Sequence, residues 1–160
     1  MKLGFGHAAS TIATVLLLGG LASQAYAVTM QPVLQDSDVH KIVDAAEKSL
    51  AELHTKGCIA VADADGELMF LQRQEGAMPN CLSSAMGKVR TAAKFQTATD
   101  TYHQLLLQNQ STMLAVPELT PLPGGVPLLS NGTVVGAVAI STPDGDLDLK
   151  VVKAAAAALK

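Results

Sequence analysis

Apolar residues recur at helical spacing through Val39, Ile42, Val43, Ala46, Leu50 and Leu53. That pattern predicts an amphipathic helix, with Ser37 or Asp38 as its N-cap and Gly57 just past its end. The period then shortens. Residues 58–64 (CIAVADA) and 67–72 (ELMFLQ) are short strand-like runs around Asp65-Gly66, a dipeptide that tolerates the positive φ of a tight hairpin turn. Helical spacing returns over 82–99, and Asp100 caps a third helix predicted to reach Gln110.

Four of the seven prolines (Pro117, Pro121, Pro123, Pro127) fall within eleven residues, around Gly124-Gly125, and exclude a helix there. Residues 126–130 and 133–141 flank Asn131-Gly132, the strongest hairpin signal in the chain. Pro143-Asp144-Gly145 ends the second of these strands, and an Ala-rich helix is expected over 147–159. The order α-β-β-α-α-β-β-α with two tight hairpins predicts an α+β fold, an antiparallel sheet flanked by helices rather than a parallel βαβ sheet. Residues 113–116 are expected to add a fifth strand.

The first segment has a different character. Lys2 is followed from Ala8 to Leu21 by an uncharged, apolar run, and Ala25-Tyr26-Ala27 has the small-x-small form of a signal peptidase site. Residues 1–27 are therefore read as a signal peptide, the run being shorter than the roughly 20 residues that span a bilayer. The product would be periplasmic or secreted. Without the leader and its one charged residue, 133 residues remain with ten basic and 14 acidic side chains, a net charge of −4. That length fits one domain over residues 28–160. An acidic chain without a basic cluster is a poor partner for nucleic acid or anionic lipid, and no later segment is apolar for long enough to insert in a membrane. Export favours oxidised thiols, yet Cys58 and Cys81, 23 residues apart, are equally compatible with a disulfide and with a buried free cysteine.

Candidate chemistry is sparse. On the second helix Leu82, Ala85, Met86, Val89, Ala92 and Ala93 share the core arc, while Ser83, Arg90 and Lys94 face water. Cys81, Ser84, Lys88, Thr91 and Phe95 form a third stripe, suited to a pocket wall or subunit contact. On the first helix His40, Glu47 and His54 repeat every seven residues, so the two imidazoles stand about 20 Å apart and cannot share a metal. His40 is the first candidate for a single metal or haem-iron ligand and His103 the alternative. No nucleophile elbow, C-x-x-C, H-E-x-x-H or P-loop is present. Gly124-Gly125 offers backbone N–H groups at close approach.

Five segments in order, DADGELMFLQR over 63–73, EGA over 75–77, KVRTAA over 88–93, PGGVP over 123–127 and GTVVGAV over 132–138, resemble the GlcG/HbpS family, which is related to the C-terminal domain of PduO. The resemblance implies a sheet of about five antiparallel strands, self-association into symmetric oligomers with an octamer as one candidate size, and haem or a related tetrapyrrole as ligand. Arg73, Gly76, Ala77, Lys88, Thr91, Gly124, Gly125 and Pro127 fall on its recurrent pattern. Cys81 replaces a small hydroxyl residue, and Ser141-Thr142-Pro143 replaces a longer Gly-rich stretch. Two functions follow as expectations. The first is an exported haem-binding protein, with His40 on the iron and Lys88 or Arg73 on the propionates. The second is a small-molecule enzyme or accessory subunit holding an organic acid in a pocket formed by Lys88 and Gly124-Gly125.

Overall fold

The computed structural model describes residues 31–159; the leader and its cleavage site lie outside them. Four strands form one antiparallel sheet: β1 (Cys58–Asp63), β2 (Leu68–Arg73), β3 (Gly125–Ser130) and β4 (Thr133–Ser141). Their spatial order is β2-β1-β4-β3. The central strands are buried on both faces, which is why CIAVAD and TVVGAVAIS read as continuous apolar runs without alternation.

Register sorts the two faces by size. Ile59 pairs with Ile140 and Val61 with Val138, whereas Ala60 pairs with Ala139 and Ala62 with Ala137. The large residues pack against α1 (Asp36–Glu52) and α4 (Gly145–Ala156), through Ile42, Leu50, Val151 and Val152. The alanine face receives α2 (Cys81–Lys94), through Ala85, Val89, Ala92 and Ala93. Small residues on both sides let α2 lie close to the sheet. A Cβ on Gly125 would stand 2.8 Å from the Lys88 carbonyl oxygen, so the start of β3 requires glycine where the helix crosses it.

Both hairpins form where the dipeptides place them. Asn131 and Gly132 take φ of 50° and 79°, and Gly66 takes 85°. Helix α2 is shorter than its apolar pattern, because Gln96 turns left-handed at φ 51° and α3 (Thr99–Leu107) starts anew. The expected fifth strand is absent from the sheet. Residues Ser111–Ala115 instead form a 3-10 helix, closed by a hydrogen bond from the Val116 N–H to the Met113 carbonyl. Four adjacent apolar residues carry no period-two signal, and Pro117 directly after them removes a ladder donor. Cys58 and Cys81 are joined, with an S–S distance of 2.02 Å and a Cα–Cα distance of 5.4 Å, tying β1 to the first residue of α2. Among the described residues no helix is long and apolar enough to cross a membrane.

Candidate functional site

The third stripe of α2 is largely buried, and its members are engaged one by one. Cys81 is in the disulfide. Thr91 donates through Oγ1 to the Glu118 carbonyl at 3.1 Å and accepts from the Thr120 N–H at 2.9 Å, pinning the proline-rich crossing to the helix. Lys88 reaches past the end of the sheet to α4. Its Nζ stands 2.7 Å from Asp148 Oδ2 and 2.8 Å from the Ile140 carbonyl oxygen, and both side chains of the pair are only 3% exposed. Asp148 Oδ1 accepts the Thr142 N–H at 2.6 Å.

The paired glycines meet this lysine. Gly124 takes φ +106°, and a Cβ there would stand 2.6 Å from the Asp148 Cβ and 3.2 Å from Lys88 Nζ. Gly124 also accepts the Ile140 N–H at 2.8 Å, and Gly125 donates its N–H to Thr99 Oγ1 at 2.9 Å. Burial pushes the Lys88 ammonium below the usual lysine range and the Asp148 carboxyl above the usual carboxylate range, each opposed by attraction to the other.

Beside the pair opens a cavity of about 380 Å³, whose walls include Ser84, Lys88, Asp148, Ser141, Leu122 and Pro123. That volume falls in the range of small-molecule sites, about 300–1,000 Å³. His103, from α3, lines it as well. The same imidazole lines a neighbouring pocket of about 410 Å³ with Leu107, Leu149 and the carboxylates Asp100, Asp144 and Asp146. Among the described residues no group of three or more His, Cys, Asp and Glu side chains is arranged to hold a metal ion.

The expected site residues therefore separate. Lys88, Gly124 and Gly125 come together, with Thr91 one turn further along α2. His40 is exposed on α1, in the layer across the sheet from α2. Arg73 ends β2 with its guanidinium donating twice to the Ala77 carbonyl, at 3.1 and 2.9 Å, and lines neither pocket. Asp148, the partner of Lys88, is not among the expected residues. Its signal is its place on the buried stripe of α4 with Val151, Val152 and Ala155, because a carboxylate at a core position requires a partner.

The chain is thus an antiparallel α+β domain with a buried Lys–Asp pair beside a paired-glycine turn. Residues 34–157 match the model of the family described as "Haem degrading protein HbpS-like", and the chain belongs to it. It is 33% identical over 109 residues to Protein GlcG of Escherichia coli K12, covering 68% of this chain and 81% of that one. A crystallised double mutant of HbpS from Streptomyces reticuli is similar at 27% identity and a TM-score of 0.75, over 96% of this chain and 99% of that one. The PduOC:Heme complex shares the fold at 23% identity and a TM-score of 0.72, over 79% and 95% of the two chains.

Proposed function

We propose that the chain is an exported, homo-oligomeric haem-binding protein, with His103 as the iron ligand its pocket geometry favours. The observation that carries this reading is the position of His103. It forms a wall common to two adjoining pockets, and Met78, Leu122 and Pro123 on one side and Leu107 and Leu149 on the other supply the apolar contacts a macrocycle needs. Family membership supports the ligand class, and the first 27 residues support export. Asp100, Asp144 and Asp146 repel carboxylates from the second pocket, which leaves the propionates to solvent or to a neighbouring copy. His40 is the alternative ligand, on an exposed helix face that a second subunit would have to cover.

Titration of the purified protein with haemin tests the reading. A Soret shift lost in His103→Ala and kept in His40→Ala is expected. The reverse pattern moves the ligand to His40, and no shift in the wild type removes haem. The N-terminus of protein recovered from the periplasm should be Val28, and light scattering should give a mass several times that of one chain.

A further inference from the structure

The Lys88 end of the pocket carries an inference of its own, for the protein without haem. Two of the ammonium's three protons are engaged, by Asp148 Oδ2 and the Ile140 carbonyl, which leaves one for the pocket that Lys88 lines. The lysine's charge is already matched by Asp148 at 2.7 Å, with both side chains enclosed. Asn80, Ser84, Ser141 and Thr142 add polar groups without charge, and the titratable side chains in the lining are Lys88, Asp148 and His103. A carboxylate brought here would face that of Asp148, which already neutralises Lys88, and would lose its hydration as well. A carbonyl oxygen needs only the one remaining donor. The missing side chain of Gly124 lets the backbone pack against Lys88 and Asp148, and Met78, Leu122 and Pro123 give an apolar surface to the rest of such a molecule.

We propose that the floor of this pocket binds a small uncharged carbonyl compound, an amide, ketone or aldehyde with a short apolar tail, in preference to an organic acid. The carbonyl oxygen accepts the third Lys88 proton and the tail lies against Met78, Leu122 and Pro123.

Butyramide and butyrate share a carbon chain and differ in head-group charge, so they separate the two classes. In ¹H–¹⁵N NMR titrations of the haem-free protein at neutral pH, butyramide should shift the Gly124 and Thr142 amide resonances. It should half-saturate at a concentration about tenfold or more below butyrate, equivalent to about 1.4 kcal/mol. Asp148→Asn, which leaves the lysine charge unmatched at nearly constant side-chain size, should bring butyrate level with butyramide or ahead of it. Butyrate binding the wild type as tightly as butyramide, shifts confined to other parts of the chain, or no shift with either compound would overturn the proposal. Should the Asp148 variant fail to fold, the wild-type pair of titrations still decides. The haemin response is read on its own by the Soret shift, so failure of the haem reading is scored separately.

Discussion

Gly124 and Lys88, 36 residues apart in the chain, meet where α2 crosses the start of β3: a side chain on the glycine would begin 3.2 Å from the lysine nitrogen. The contact joins the proline-rich crossing to the charged pair and sets the position of the pocket beside it. Because Gly124 also has φ +106°, two independent constraints exclude a larger residue.

Gly124→Ala should therefore destabilise the fold. The added methyl meets the Asp148 Cβ and the Ile140 carbonyl, and overpacking of this kind costs about 1–3 kcal/mol before backbone strain is added. Urea unfolding should give a lower midpoint with an unchanged slope.

The buried pair should respond differently to losing one member and to losing both. Lys88→Met alone leaves Asp148 buried without its cation and should cost about 3–5 kcal/mol. The double variant Lys88→Met/Asp148→Leu removes both charges, and its stability should lie well above that of the single variant and close to the wild type. Chemical denaturation of the set reads this directly.

The pair also sets a sign for pH dependence. Burial raises Asp148 above its ordinary value of 3.8, so the folded state holds this proton more tightly than the unfolded chain. Its contribution to stability is therefore largest below 3.8 and declines as pH rises through the folded-state value, opposite to an ordinary salt-bridged carboxylate. Lys88 is lowered from 10.5, so its contribution rises as pH climbs from the folded-state value towards 10.5. The difference in unfolding free energy between wild type and Asp148→Asn, measured across the acid range, should shift in favour of the wild type as pH falls.

Removing the disulfide by Cys58→Ala/Cys81→Ala should cost about 3 kcal/mol, the entropy regained by a loop of this length in the unfolded chain. Alkylation without reductant should label neither cysteine in the wild type, and thermal melts with and without reductant should differ in the same direction as the variant.

Thr91→Val removes a hydroxyl that holds two backbone groups of the proline-rich crossing. A loss of about 1–3 kcal/mol is expected, together with faster amide exchange at Thr120. The Leu122–Pro123 wall of the pocket follows that anchor.

Several features of this protein were determined locally and could be read without coordinates. Asp65-Gly66 and Asn131-Gly132 set both hairpins, the 3.6-residue period located α1 and the core arc of α2, and the third stripe of α2, which holds Lys88, marked the flank where the pocket lies. Where prediction failed, it failed where long-range contacts decide. Residues 113–116 are apolar enough for a strand but lack a period-two pattern and run into Pro117, and the end of α2 depends on the turn at Gln96 rather than on its alanines. The pairing of Cys58 with Cys81 needed the spacing between β1 and α2, which sequence separation does not encode. Asp148 became the partner of Lys88, across 60 residues, only because alanines on both surfaces let α2 settle against the sheet while the first turn of α4 reaches around its end. Residue type told which side chains could carry charge or bind a ligand; packing chose which of them face one another, because that choice depends on distances no local pattern contains.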